Sequence, residues 1–169
     1  MRFWKMSAYK ESEIVTAATE ATRRLGYNLR DDQMKVIVAF CRGQDVFLSL
    51  PTGSGKSLCY SCLPWTFDIL RRKPSRSIVI VVSPLIALMK DQVSKLTAKG
   101  VKSVFVTIPD DECDDSFAEE LHEGSYQVVF FSPESLLTVE AWRDMLVSDV
   151  YRGNVVGFIV DEAYCVKKW

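Results

Sequence analysis

Two runs of the sequence, Ser77–Val82 and Val155–Val160, carry apolar side chains at nearly every position. Successive side chains of a strand point to opposite faces, so a run without polar alternation has no face to offer to water. Such strands belong in a parallel sheet covered on both sides, and parallel neighbours must be joined by crossover segments, usually helices. The sequence between the two runs supplies them. Leu85–Lys99 reads as a helix stopped by Gly100, Lys102–Ile108 and Gln127–Phe131 as strands, Pro133–Leu137 as a helical piece and Val139–Val147 as a helix. Before the first run, Glu13–Leu25 reads as a helix between Ser12 and Gly26. Gln33–Arg42 reads as another, capped by Asp31 or Asp32, with Met34, Ile37, Val38 and Cys41 on one face. Asp45–Leu50 is β-prone and ends at Pro51, and Gly55–Leu70 is a helix that Pro64 should kink or split. The alternation predicts an α/β fold, a parallel sheet with helices on both faces.

A length of 169 residues suits one such domain. A hydrophobic fraction of 48% excludes a disordered chain, and no apolar run approaches the length of a membrane span. The net charge of −1 points to neither nucleic acid nor an acidic partner, but its distribution is uneven. Basic residues dominate from Arg71 to Lys102, where Asp91 is the one acid, and the stretch from Asp110 to Glu123 holds eight acids and no Lys or Arg. The plain reading of both blocks is a solvated face or loop. Arg71-Arg72-Lys73-Pro74 reads as a basic helix end.

Five cysteines, an odd number, with no leader-like apolar stretch after the start, suggest a reducing compartment. Cys59 and Cys62 have metal-like spacing, yet no second pair or suitable His follows, so they read as half-buried helical thiols. With His122 the single histidine, any chemistry must run on carboxylates, Lys, hydroxyls or backbone.

The first strand exit, Pro51-Thr52-Gly53-Ser54-Gly55-Lys56-Ser57, supplies that chemistry. Gly53 and Gly55 let the backbone curl and turn its N–H groups inward as an anion nest at a helix start. Lys56 suits the β- and γ-phosphates of a nucleotide, and the Ser57 hydroxyl suits Mg²⁺. The strict phosphate-loop pattern has a further Gly where Leu50 stands, but the phosphate-facing part is intact. The last apolar run ends in Asp161-Glu162. Asp161 would hold the metal through its water shell, and Glu162 would orient and deprotonate an attacking water.

These residues sit among others in a telling order: Leu29-Arg30 and Gln33; the Lys56 loop followed by Leu58-Cys59-Tyr60; Ser83-Pro-Leu-Ile-Ala-Leu-Met-Lys-Asp-Gln-Val93; Phe131-Ser-Pro-Glu134; and Asp161-Glu-Ala-Tyr-Cys165. The chain resembles the first RecA-like domain of a RecQ-type superfamily 2 DNA helicase, from about Leu25 to Trp169. The resemblance implies a P-loop NTPase domain over 25–169, preceded by an N-terminal helical extension over 1–24. It implies ATP and Mg²⁺ as cofactors, with Thr52, Gly53, Ser54, Gly55, Lys56 and Ser57 around the phosphates. Adenine would be read by Arg30 and Gln33, with Tyr27 or Leu29 packed on its ring. It implies single-stranded or partly duplex DNA as partner, contacted by Ser83, Lys90, Gln92 and Ser132, and ATP-driven 3′-to-5′ unwinding. Location would be the nucleus in a eukaryote and the cytoplasm otherwise, with no membrane.

Three departures from the family shape what is expected. Tyr164 stands where the family usually has His, a residue thought to relay nucleotide state, so coupling to unwinding should weaken. Pro109–Asp115 is acidic where the family is rich in Ser and Gln, and would repel phosphate unless it points away. The sequence also lacks a second RecA-like lobe with its arginine finger, worth about 10³–10⁵ in rate in related enzymes, and a strand expected beside Val155–Val160. The resemblance therefore implies a partial lobe with unpaired sheet backbone, marginally stable or prone to aggregate. The alternative from another class is a non-catalytic fragment that holds nucleotide or a partner. A P-loop nucleotide kinase is disfavoured because no arginine-rich lid is apparent.

Overall fold

The computed structural model describes residues 9–51, 53–73, 76–107 and 115–163. The chain divides into two compact units, Met1–Ser77 and Ile78–Trp169.

The first unit is helical: α1 (Glu11–Arg24), α2 (Asp31–Cys41), α3 (Lys56–Ser61) and α4 (Leu63–Arg71). At the start of α1 the Lys10 amide donates to the Glu13 carboxylate at 2.8 Å, satisfying a group that no helical carbonyl can reach. Ser12, the expected cap, lies inside the helix instead, where its carbonyl accepts from the Thr16 hydroxyl. Gly26 ends α1 in the left-handed region, φ 79°, so that the Gly26 and Tyr27 amides reach back to Arg23 and Thr22 at 3.0 Å. Ala17, Ala18 and Ala21 are buried with Ile14, and these small side chains let α1 lie close to α4 and α2.

On α2 the buried residues are Gln33, Ile37, Val38 and Cys41, with Met34 half-buried, close to the face read from the sequence. Asp31 and Asp32 occupy its first turn rather than the cap, and Arg30 is the capping residue. The expected helix over Gly55–Leu70 is split at Cys62. Pro64 falls in the first turn of α4, where its missing N–H costs nothing, whereas in a continuous helix it would clash with the carbonyl one turn back. Cys59 and Cys62, expected to be half-buried, are buried outright, as is Cys41.

The expected strand Asp45–Leu50 does not form. The segment is extended in exposure, with Val46, Leu48 and Leu50 half-buried and Phe47 exposed, but no described strand pairs with it. β-propensity fits a side chain to a sheet surface; a ladder partner is still needed to make the strand.

The second unit holds the sheet, with strands β1 (Ile78–Val82), β2 (Ser103–Val106), β3 (Val128–Phe131) and β4 (Val155–Val160) in the order β2-β3-β1-β4, all pairs parallel. Val81 is level with Phe130, which is level in turn with Phe105. The crossovers are α5 (Ile86–Ala98), α6 (Asp115–His122), α7 (Pro133–Thr138), α8 (Glu140–Val147) and α9 (Asp149–Asn154). Ile78 and Ile80 pack with Val129, Phe131, Leu121, Trp142, Met145 and Tyr151, so α6, α8 and α9 cover one face, while α5 packs on β2. Both faces of β1 are buried, as its uniform sequence requires.

Two helices were not legible in the sequence. Part of the acidic stretch forms α6, whose Leu121 is fully buried. Residues 149–154 form α9, capped by Ser148 and anchored by the Tyr151 hydroxyl, which donates to the Leu121 carbonyl at 2.6 Å. The rest of the acidic loop, 110–114, lies outside the described residues. Among the described residues no helix is long and apolar enough to cross a membrane.

Candidate functional site

In the first unit the loop between Pro51 and α3 is held from one side by α2. Gly53 and Gly55 adopt φ 79° and 75°, the left-handed conformation that only glycine takes cheaply. A Cβ on Gly55 would also lie 2.9 Å from the Gln33 amide nitrogen, so a side chain there would have to push that amide off the loop. That nitrogen donates to the carbonyls of Ser54 (3.3 Å) and Gly55 (3.2 Å), while the Gln33 oxygen accepts from the Arg30 amide at 3.0 Å. The Arg30 guanidinium adds a bond to the Ser54 carbonyl at 2.8 Å. Both residues singled out for adenine therefore grip the Ser54–Gly55 backbone.

Gln33 is buried with both ends of its amide engaged: the nitrogen makes two bonds to the loop, and the oxygen accepts one and keeps a second lone pair. The signal for this second role was present in the sequence. Gln33 is three residues past Arg30, the spacing at which a Gln side chain folds back onto the capping amide. Arg30 is steadied by Asp32 at 3.1 Å, and that hydrogen bond holds the Asp32 carboxyl below its ordinary range and raises the guanidinium.

Lys56 opens α3, and its ammonium donates to the Leu50 carbonyl at 3.2 Å, keeping the side chain folded over the loop. Ser57 follows on the first turn of α3, and Thr52 lies outside the described residues. The thiol of Cys59, one turn into α3, is pushed up to about 11 chiefly by burial, so it stays protonated and unreactive at neutral pH.

In the second unit the remaining candidates collect at the carboxyl ends of the strands. Asp161 leaves β4 with its amide bonded to the Val82 carbonyl at 2.9 Å. The Glu162 amide donates to the Asp161 carboxylate at 3.1 Å, and Glu162 has φ 55°, a strained conformation for a residue with a side chain. Ser83 follows β1 with its amide on the Phe131 carbonyl; its hydroxyl is buried and has no hydrogen-bond partner among the described residues. Ser132 follows β3, and its hydroxyl caps α7 by accepting from the Ser135 amide at 3.1 Å.

Of the four residues carried over for nucleic acid, Ser83 and Ser132 are thus interior, Gln92 is half-buried, and Lys90 is exposed. Lys90 lies with its ammonium 5.4 Å from the centre of the Phe105 ring. Phe105 was not singled out in the sequence, because nothing local connects a strand residue to a lysine on the preceding helix. Tyr164 lies outside the described residues.

The chemistry of this set is that of an anion-binding loop with a lysine, and of a strand-end carboxylate pair. Ser57 and Asp161 offer oxygen donors, the kind a hard divalent cation takes. The sequence model of the DEAD/DEAH box helicase family matches residues 30–169. The chain is 35% identical over 141 residues to the ATP-dependent helicase SGS1 of Saccharomyces cerevisiae, covering 83% of this chain and 10% of that protein. It is 33% identical over 156 residues to the ATP-dependent DNA helicase RecQ of Haemophilus influenzae, covering 91% and 23%. With the probable ATP-dependent DNA helicase RecS of Bacillus subtilis it shares 30% over 147 residues, 84% and 26% of the two chains. The chain therefore spans between a tenth and about a quarter of the length of these relatives.

Proposed function

This chain belongs to the DEAD/DEAH box helicase family, and from that premise we propose that it is the ATP-binding, first RecA-like lobe of a RecQ-type DNA helicase. The observation that carries this reading is the grip of Arg30 and Gln33 on the Ser54 and Gly55 carbonyls, which ties the residues that would read a base to the loop that would hold its phosphates.

In the intact protein Lys56 leaves the Leu50 carbonyl for the β- and γ-phosphates, and the loop amides around Gly53–Gly55 take the phosphate oxygens. As the family resemblance implies, Ser57 and Asp161 would be the residues that hold Mg²⁺, and the ion would supply charge neutralisation at the transferred phosphoryl group. Glu162 accepts the proton of the attacking water. Arg30 and Gln33 contact adenine by exchanging some of their bonds to the loop, so base binding and loop geometry are linked. A second RecA-like lobe supplies the arginine finger and completes the cleft. Single-stranded DNA runs along the strand ends, gripped first by Lys90, with Gln92 beside it and Ser83 and Ser132 shaping the backbone beneath. Movement is 3′-to-5′, and the compartment is the nucleus in a eukaryote or the cytoplasm in a bacterium.

The test is ATP hydrolysis by the chain with and without single-stranded DNA, beside Lys56→Ala, with thermal melting in Mg·ATP as a second readout. A raised Tm in Mg·ATP that Lys56→Ala abolishes is expected, and any DNA-stimulated turnover should fall by about 10²-fold or more in the variant. A Tm shift without turnover would favour a nucleotide-holding module that hydrolyses nothing alone. Identical behaviour of chain and variant in both assays would sink the reading.

A further inference from the structure

We propose that Phe105 is a positioning residue that holds the Lys90 ammonium, paired with no carboxylate among the described residues, for a phosphate of single-stranded DNA. The proposal rests on the functional reading above and assigns a role to a residue outside every motif. Helix α5 contains one acid, Asp91, next to Lys90 in sequence. Adjacent residues on a helix point about 100° apart, and Asp91 is turned to its i+4 partner, Lys95, at 2.6 Å. Among the described residues no carboxylate pairs with Lys90. Its ammonium instead lies 5.4 Å from the Phe105 ring centre.

The difference is chemical. A carboxylate would fix the lysine and cancel its charge. A ring face attracts the cation through its quadrupole but carries no net charge, so the ammonium is restrained and still able to pair with an anion. A long flexible lysine loses much rotamer freedom when it binds, and a side chain already restrained loses less.

The position is also apt. Phe105 is level across the sheet with Phe130 and Val81. It therefore stands two residues short of the level at which Ser83 and Ser132 leave their strands, at the carboxyl edge where α/β sheets bind ligands. The competing account is that Phe105 is merely a half-buried edge residue shielded by the lysine's methylene stem.

The experiment is anisotropy of a labelled oligothymidylate over a range of salt, using the 169-residue chain and the variants Phe105→Leu, Phe105→Tyr, Lys90→Gln and the Leu/Gln double. Phe105→Leu should weaken binding about two- to fivefold, and Phe105→Tyr should leave it unchanged. In the Lys90→Gln background Phe105→Leu should add nothing. Proton NMR gives a DNA-free readout: the Lys90 ε-methylene should be shifted upfield by the ring current and lose that shift in Phe105→Leu. Phe105→Met replaces the Leu variant if that one fails to fold.

Equal weakening by Phe105→Leu in both backgrounds would make the ring structural and overturn the proposal. Loss on Lys90→Gln with none on Phe105→Leu would overturn it while leaving the DNA reading intact. An unmutated chain that binds no oligothymidylate, with the upfield shift present, would sink the DNA reading, and the positioning role with it.

Discussion

Arg72 closes α4 with φ 53°, a conformation in which Cβ crowds the following carbonyl. That crowding costs about 1–2 kcal/mol, more than the about 0.5–1 kcal/mol of extra chain entropy a glycine brings to the unfolded state. Arg72→Gly should therefore stabilise the chain by about 0.5–1 kcal/mol, seen as a raised urea midpoint. Glu162 has the same backbone sign, and there the strain sits beside Asp161. The three buried thiols give a second prediction at this scale. Burial pushes Cys41 from its ordinary 9.0 up to about 12 and Cys59 up to about 11, and raises Cys62 as well. The folded chain keeps these protons where the unfolded chain releases them. Their contribution to stability is thus complete below pH 9 and is lost as pH rises from there through the folded values. Urea midpoints at about pH 8 and about pH 10 should fall less in Cys41→Ala than in the unmutated chain, and a parallel fall would refute this.

Among the elements, the entry into the last residues before β1 depends on one carboxylate. Asp68, buried on α4, accepts from the amides of Arg76 and Ser77 at 3.2 and 2.9 Å through a single oxygen. Asp68→Ala strands both amides and should cost about 1–3 kcal/mol, whereas Asp68→Asn keeps an acceptor and should cost less. Equal losses would mean that the charge, not the acceptor, matters. Helices with strong local signals were legible beforehand: α1 stops just ahead of Gly26, α5 ends before Gly100, and Pro64 sits in the first turn of α4 where it parts from α3. β4 matches its expected limits, because six apolar residues bounded by polar ones leave little choice. What escaped were α6 and α9, short helices made by Leu121 and Tyr151 docking into the core of their unit, and the failed strand 45–50. The tight turn at Gly53 and Gly55 ahead of α3 was legible in the sequence. The hold of Gln33 on it was half legible, and the contact of Lys90 with Phe105 was not legible at all.

At the scale of the whole molecule, each unit has its own core, and the sheet of the second ends in β4, whose outer edge pairs with no described strand. Its first half is buried, but Phe158 and Val160 are 40% and 44% exposed. An apolar edge of this kind recruits other strands. The chain should self-associate as concentration rises, and Phe158→Lys should reduce that association without lowering Tm, as sedimentation velocity would show. Unchanged association in the variant would place the sticky surface elsewhere.

The sequence by itself determined what short-range physics controls. Periodicity marked the buried strands, glycine and proline marked the breaks, and Gly53 and Gly55 marked a tight turn into a helix, because φ preferences act over a few residues. Only the tertiary structure decided which β-prone run found a partner, which thiols lost their water, and that the Lys90 ammonium settled on a ring from another element. Pairing, desolvation and charge compensation depend on residues distant in the chain, and only the folded arrangement brings those together.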